Sequence, residues 1–191
     1  MSATPLPASH AVGTLPGLKE PQLMAGPGGV VWLLWLEQRP QEKGRTTALI
    51  RPFGASHQTP MELTPAPSSL RSRVHDYGGG VLTAAVNNDQ LLLVWIEAGC
   101  LWRQDWQLPE NAALQPQPLT TPVRLSLPGE GELANGQLDQ IHQRWIGIRE
   151  VDGLDQLVWL PLDARDQSPQ LLHQPADFAG YACLSPDGQH L

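Results

Sequence analysis

Short apolar runs preceded by glycine recur along this chain at intervals of roughly 40–50 residues, and this spacing constrains the fold more than any other feature. The runs follow Gly29, Gly80, Gly136 and Gly180. Turn-forming residues flank each run, which favours strands over helices. The chain has 19 prolines and 18 glycines in 191 residues, and no amphipathic stretch is long enough to indicate a helix. The sequence therefore predicts an all-β fold built from repeated units.

The apolar runs within each unit indicate about four short strands joined by turns. The predicted strands are residues 30–36 and 46–50, then 81–86, 91–96 and 100–103, then 137–141, 144–149 and 157–162. A fourth unit begins at residues 180–184, and the chain ends at Leu191, where another strand should start. This repeat is typical of propeller blades, and a β-sandwich is the alternative. We expect a partial β-propeller of about three blades plus the start of a fourth, with a ring not closed within this chain.

Prolines divide the chain into an irregular beginning and a strand-rich remainder. A proline has no backbone N–H to donate, so it is excluded from helix interiors and from central strands. The prolines of the first segment are Pro5, Pro7, Pro16, Pro21 and Pro27. The predicted organisation is an irregular N-terminal segment over residues 1–27 and an incomplete N-terminal propeller domain over residues 28–191.

The charge and the cysteines exclude several classes of partner. A net charge of −7 disfavours nucleic acid, which binds basic surfaces. Cys100 and Cys183 form no disulfide framework, which is typical of a reducing compartment. We expect no signal peptide, because no charged segment followed by an apolar run opens the chain. The longest apolar run, residues 30–36, is too short to span a membrane. We expect a soluble, cytoplasmic protein with neither nucleic-acid nor membrane partners.

His75 and Asp76, just before the glycines of residues 78–80, form the most conspicuous candidate for acid–base chemistry. Adjacent residues on an extended strand point to opposite faces, so this pair is not expected to meet. We favour a structural role, in which the His75 and Tyr77 side chains make hydrogen bonds that fix the start of the second blade. The glycines would let the strand pass close to the propeller axis.

Other candidate sites have weaker support in the sequence. The glycines of residues 78–80 lack the following lysine and helix of a phosphate site. The six histidines show no metal-binding spacing, so no metal or other cofactor is expected. Trp102 and Trp106 flank a loop. One of them is a candidate for contact with a ligand, but we favour a packing role for both. The tryptophans predicted in the core are Trp32, Trp35, Trp95, Trp145 and Trp159.

Several segments resemble the propeller of prolyl oligopeptidase family serine peptidases, in the branch of dipeptidyl-aminopeptidase-like and acylaminoacyl-peptidase-like enzymes. The closest matches are residues 35–40, 42, 44–46, 49–51, 63–66 and 71–80, with weaker matches at residues 101–104, 118–120 and 148–150. Residues 184–188, Leu-Ser-Pro-Asp-Gly, form a turn common to many propellers. Asp76 stands where the family usually has glutamate. The resemblance covers residues 28–191.

This resemblance implies a two-domain hydrolase of which the chain is the front part. In that family a propeller covers an α/β-hydrolase domain that carries a serine, aspartate and histidine triad. A nucleophile elbow needs G-x-S-x-G, and the one matching glycine pair, Gly13 and Gly17, has Leu15 at its centre. The triad and the hydrolase domain are therefore expected beyond Leu191. We expect no catalytic residue and no metal ligand here, and the sequence does not identify binding residues.

Two functions are consistent with the sequence. In the first, the chain is the propeller portion of a serine peptidase and gates the access of short peptides to a downstream hydrolase domain, so that its partners are peptide substrates of that domain. In the second, it is a non-catalytic propeller that serves as an interaction module, or a truncated gene product. Neither the total number of blades nor the oligomeric state follows from the sequence.

Overall fold

The computed structural model describes residues 15–180 and 182–191, and nearly all of its regular structure is β-strand. Its helical residues fall in single 3₁₀ turns such as Pro27–Gly29 and Val74–Asp76. The strands are β1 Gly17–Ala25, β2 Val31–Arg39, β3 Arg45–Pro52, β4 Met61–Glu62, β5 Leu82–Asn87, β6 Gln90–Glu97, β7 Cys100–Gln107, β8 Gln117–Pro118, β9 Val123–Arg124, β10 Glu132–Asp139, β11 Arg144–Val151, β12 Leu154–Pro161 and β13 Gln170–His173.

The strands form three antiparallel sheets, two of four strands and one of five, each built on a four-stranded meander. Blade 1 has the order β1-β2-β3-β4, blade 2 the order β5-β6-β7-β8 with β9 paired to β7, and blade 3 the order β10-β11-β12-β13. None of the sheets closes on itself. The predicted all-β partial propeller of about three blades is therefore confirmed, and its ring is not closed within this chain.

The hydrophobic core lies between the blades, where the sheets face one another. Alternation along β2 directs Trp32, Leu34 and Leu36 to the face that meets blade 2, and all three are at most 1% exposed. Each blade contributes one fully buried tryptophan from its second strand, namely Trp32, Trp95 and Trp145. These large rings fill the core, as the sequence predicts.

Trp35 and Trp159 differ from this prediction, because both are only half-buried. Each lies on the face of its blade that points away from blade 2. The guanidinium group of Arg51 lies 5.6 Å from the ring centre of Trp35, and that of Arg144 lies 5.9 Å from the ring centre of Trp159. A cation over the ring stabilises an aromatic side chain that no neighbouring sheet covers.

The expectation of an irregular segment over residues 1–27 is wrong for its described part, because Gly17–Ala25 forms β1. Pro21 is tolerated since it lies in a β-bulge, between the paired residues Lys19 and Gln22. A bulge leaves one residue unpaired, so the missing N–H of the proline removes no hydrogen bond from the ladder. Pro5 and Pro7 lie outside the described residues.

The predicted start of each unit needs correction. Blade 1 begins at β1, so Gly29 precedes its second strand, and Gly136 lies inside β10. A Cβ on Gly136 would lie 1.9 Å from Nε1 of Trp145, so glycine is needed there to admit the indole ring. The described residues of 180–184 form no strand, although the turn predicted at residues 186–188 is present. Residues 170–173, which the sequence left unassigned, form β13.

The face of blade 1 that points away from blade 2 carries exposed apolar side chains. Leu18 is 67%, Leu23 59% and Phe53 60% exposed. Val31 lies on the same face and is 41% exposed. We call this surface the outer face of blade 1.

No helix among the described residues is both long and apolar enough to cross a membrane.

Candidate functional site

The turns at one end of the blades lie side by side and form a continuous surface, which we call the loop end. It comprises residues 40–44, 69–81, 97–99, 129–132 and 150–152. Tight turns between antiparallel strands, together with the long connection from β4 to β5, bring these residues together. The segment around His75 and Arg73 therefore lies at the same end as turns from all three blades.

His75 is held by two carboxylates of blade 3. Its Nε2 atom lies 2.7 Å from Oδ1 of Asp155, and its Nδ1 atom lies 3.7 Å from Oε2 of Glu150. The backbone N–H of His75 also donates a hydrogen bond to Glu150. The ring of Phe178 packs edge-on against the imidazole, with 5.0 Å between ring centres. The imidazole is therefore enclosed on several sides and linked to a neighbouring blade.

Asp155 is an anchor for two separate segments of the chain, one at His75 and one over residues 174–179. Its carboxylate is almost fully buried and accepts hydrogen bonds from His75 and, at 2.7 Å, from the backbone N–H of Ala179. Its carbonyl oxygen accepts a hydrogen bond of 2.7 Å from the side chain of Gln174. A buried carboxylate is stable only when such partners satisfy it. The role of His75 is thus to tie the blade 1–2 connection to blade 3.

The structure keeps His75 and Asp76 apart, although for a different reason from the one predicted. The two residues lie in a 3₁₀ turn, both with positive φ angles of 49° and 61°, and not on an extended strand. Asp76 is exposed and makes no side-chain hydrogen bond with the described residues. The hydrogen-bonding role predicted for His75 is confirmed. The same role predicted for Tyr77 is wrong, because its side chain is 97% exposed.

The glycines of residues 78–80 pass close to β10 of blade 3. A Cβ on Gly79 would lie 2.8 Å from Cβ of Ala134. Gly80 donates a hydrogen bond of 2.7 Å to the side chain of Asn135, and Asn135 returns one of 2.8 Å from its backbone N–H to the Gly80 carbonyl. The glycines therefore allow a close approach to β10, with Asn135 as the hydrogen-bond partner.

Glu20 holds the same strand from the side of blade 1. Its carboxylate accepts hydrogen bonds from the backbone N–H groups of Val81, at 3.1 Å, and of Leu82, at 2.9 Å. Burial raises the pKa of Glu20 above its ordinary value, and these two hydrogen bonds together with the charge of Lys19 oppose the rise. The start of β5 is therefore held on both sides, by Glu20 and by Asn135.

A cleft of 590 Å³ opens at the loop end between blades 1 and 2. Basic side chains predominate among the charged groups of its wall, which are Lys19, Glu20, Glu42, Lys43, Arg45 and Arg71. Arg45 is neutralised by ion pairs to Glu42 at 2.5 Å and to Glu62 at 2.6 Å. We call this cavity the basic cleft.

Arg71 and Arg73 lie beside two carboxylates at the loop end but do not pair with them. Glu97 accepts a hydrogen bond of 3.0 Å from the backbone N–H of Ser69, and Glu132 accepts one of 3.2 Å from the backbone N–H of Arg73. Both arginine side chains are exposed and form no ion pair with the described residues. Arg71 lines both the basic cleft and one neighbouring cavity, whereas Arg73 lines neighbouring cavities and not the basic cleft.

The structure also locates the tryptophan and cysteine side chains that the sequence singles out. Trp106 is 4% exposed, and Trp102 stacks on Trp95 with 6.4 Å between ring centres, so packing accounts for both. Cys100 and Cys183 are free thiols, and burial raises the pKa of Cys100. Within residues 15–180 and 182–191, no cluster of three histidine, cysteine or acidic side chains has a geometry suited to a metal.

Comparison with known proteins finds similarity in structure alone. No protein-family model matches the chain, and no curated protein matches it in sequence. Among solved structures, it is similar to a puromycin-hydrolyzing peptidase of Mycobacterium tuberculosis, with a TM-score of 0.70 and 25% identity. The alignment covers 97% of this chain and 28% of that one.

Two puromycin hydrolase structures show the same relationship. A mutant enzyme in complex with PGG aligns with a TM-score of 0.67 and 21% identity over 98% of this chain and 29% of its own. A second structure aligns with a TM-score of 0.64 and 23% identity over 93% of this chain and 27% of its own. The chain thus spans less than a third of each peptidase. Its fold is similar to the N-terminal propeller part of prolyl oligopeptidase-family peptidases, as the resemblance in its sequence predicts.

Proposed function

We propose that this chain is the propeller portion of a prolyl oligopeptidase-like serine peptidase and that it gates the access of short peptides to a hydrolase domain. The observation that carries the proposal is the alignment of 97% of the chain with a little over a quarter of a puromycin-hydrolyzing peptidase. The sequence contains no G-x-S-x-G, so the hydrolytic serine is assigned to the remainder of the enzyme.

The loop end is the surface that we assign to the gate. Turns from all three blades converge there, and the His75–Asp155 and Gly80–Asn135 contacts fix the connection between them. A rigid rim limits entry by size, because a folded protein or a long peptide cannot pass between blades that are held together. Selectivity of this kind excludes wrong substrates and adds no affinity for the right one.

The test uses the protein expressed from the complete reading frame that encodes this chain. A fluorophosphonate probe should label a serine of that protein, and the isolated 191-residue chain should not be labelled. Peptides that share one scissile bond but range from three to about forty residues should be cleaved at rates that fall steeply with length.

Two results would overturn the proposal. Absence of labelling in the longer protein would favour a non-catalytic interaction module. Cleavage of denatured casein as readily as of a tripeptide amide would show that no gate exists. A Leu154→Thr variant, altered at the exposed first residue of β12, is the control for nonspecific effects of substitution on the rates.

We also propose that the protein acts in the cytoplasm, where thiols stay reduced. The two free cysteines, one of them exposed, support this placement. Fractionation of cells that produce the protein with an epitope tag would test it, and recovery in an exported fraction would contradict it.

A further inference from the structure

We propose that the basic cleft between blades 1 and 2 binds a carboxylate, and that its ligand is a peptide bearing such a group. The proposal rests on the proposed function only in taking the ligand to be a peptide. The charge of the cleft comes from residues of this chain and does not depend on the proposed function.

The first argument is the surplus of unpaired positive charge. Lys19, Lys43 and Arg71 line the cleft, and none of them forms an ion pair with a described residue. The chain as a whole carries a net charge of −7, so a group of unpaired cations on one wall runs against its composition. Like charges placed together without partners cost free energy, which a bound anion would recover.

The second argument is that the acidic side chains of the wall are already engaged. Glu20 is bound by the backbone N–H groups at the start of β5. Glu42 is bound by Arg45 at 2.5 Å and by Arg39 at 3.1 Å. Glu20 offsets part of the charge of Lys19, but four basic groups face two acidic ones on this wall, so it still presents net positive charge to a ligand.

The third argument is size and position. A volume of 590 Å³ falls within the range of roughly 300–1,000 Å³ that small-molecule sites occupy. It accommodates the end of a peptide but not a folded domain. Arg71 also carries the planar donor fork that binds a carboxylate through two parallel hydrogen bonds. Its exposed side chain is free to adopt that geometry.

The peptide carboxylate has two sources, the C-terminus and an acidic side chain, and three probes distinguish them. Triglycine carries a free C-terminal carboxylate, triglycinamide carries none, and N-acetyl-alanyl-glutamic acid α-amide carries only a side-chain carboxylate. Titration of the isotopically labelled chain, followed through the amide resonances of Gly78 and Gly79, measures each dissociation constant. We expect triglycine or the glutamate probe to bind at least tenfold more tightly than triglycinamide.

Two matched arginine variants test the location. Arg71→Gln should weaken carboxylate binding about tenfold, whereas Arg73→Gln, two residues away but outside the cleft, should leave it unchanged. Circular dichroism spectra verify that both variants remain folded. Rising salt should weaken binding to the wild-type chain, since the attraction is between charges.

The proposal is overturned if all three probes bind equally, if none binds, or if both arginine variants weaken binding alike. These outcomes are independent of the peptidase assignment, because no catalysis is measured. A chain that binds triglycine through Arg71, while the longer protein lacks peptidase activity, would retain the carboxylate site and lose the proposed function.

Discussion

Nε2 of His75 lies 2.7 Å from Oδ1 of Asp155, although the two residues are 80 positions apart in the chain. His75 belongs to the connection between blades 1 and 2, and Asp155 belongs to β12 of blade 3. The contact therefore joins segments that no local hydrogen-bond ladder would hold together. Because the Asp155 side chain is only 2% exposed, loss of a partner leaves a charge poorly satisfied in the interior.

Replacement of His75 by asparagine should destabilise the fold. Asparagine tolerates the positive φ angle of this position but is too short to reach Asp155, so the variant isolates the side-chain contact. We expect the free energy of unfolding to fall by about 1–3 kcal/mol, measured by urea denaturation. Tyr77→Ala, at a side chain that is 97% exposed, should change it by less than about 0.5 kcal/mol. Equal effects of the two variants would contradict the structural role of His75.

A methyl group at Gly136 should collide with the core. The added Cβ would lie 1.9 Å from Nε1 of Trp145, a fully buried side chain with no space to retreat. Gly136→Ala should lower the free energy of unfolding by about 1–3 kcal/mol, and the change in tryptophan fluorescence should report the displaced ring. Gly180→Ala is the control, because no described atom outside its chain neighbours lies within 4 Å of the added Cβ. A stable Gly136→Ala variant with unaltered fluorescence would refute this packing.

Acid should weaken the turn that joins β10 to β11. Burial acts to raise the pKa of Asp139, but hydrogen bonds from the backbone and ring of His142 and from Arg144 outweigh it and hold the pKa below its ordinary value. A depressed pKa in the folded state means that the ionised carboxylate contributes stability above the ordinary aspartate pKa of about 3.9. That contribution is lost as the pH falls through the lower folded value.

Asp139→Asn therefore should be less stable than the wild-type chain at pH 7, and its stability should change less between pH 5 and pH 2. Urea denaturation at several pH values measures both quantities. Asp163→Asn, at an exposed side chain without hydrogen bonds to described residues, should keep the wild-type acid profile. Parallel acid profiles for Asp139→Asn and the wild-type chain would show that this carboxylate does not control acid stability.

The contribution of Glu20 to stability should change with pH in the direction opposite to that of Asp139. Its pKa is raised in the folded state, so ionisation at neutral pH costs stability, and the cost disappears once the group is protonated. Glu20→Gln keeps an acceptor for the N–H groups of Val81 and Leu82 without the charge, and we expect it to be more stable than the wild-type chain at pH 7. The two should converge as the pH falls through the ordinary glutamate pKa of about 4.3. A Glu20→Gln variant less stable at pH 7 would contradict this sign.

The outer face of blade 1 should promote self-association. Leu18, Leu23 and Phe53 are exposed on one sheet face, and exposed apolar patches mark surfaces that associate. Sedimentation velocity should show larger species as concentration rises, and Leu23→Thr combined with Phe53→Thr should reduce them. Leu154→Thr, at the exposed first residue of β12 in blade 3, is the matched control. A wild-type chain that remains monomeric at all concentrations would be evidence against this surface.

The sequence predicts the parts of the fold that depend on local pattern. Apolar runs locate eight of the strands, and the turns at Asn88–Asp89, Ala98–Gly99 and Asp152–Gly153 lie where turn-forming residues indicate them. The period of the units predicts blades because each blade repeats one meander. Strand β1 was missed, since Pro21 is incompatible with a regular strand and acceptable only in a bulge.

The site depends on contacts between distant segments, which local pattern does not show. Nothing around His75 indicates that Asp155 and Glu150 will be its partners, 80 and 75 residues further along. In the sequence Gly136 resembles the start of a unit. Its actual role depends on Trp145 of the neighbouring strand, and this contact cannot be seen in the local pattern. The basic cleft likewise assembles from Lys19, Lys43 and Arg71, three residues too widely spaced in the sequence to suggest a cluster.

The bulge in β1 recurs in β10, between the paired residues Ala134 and Gln137, and both bulges carry a glutamine in the same place. Gln22 donates a hydrogen bond to the Leu82 carbonyl, and Gln137 is bonded to the backbone of Ala182 and Leu184. Main-chain groups are the same in every residue. A junction that binds main-chain groups therefore places little restriction on the side chains of the neighbouring blade at these positions.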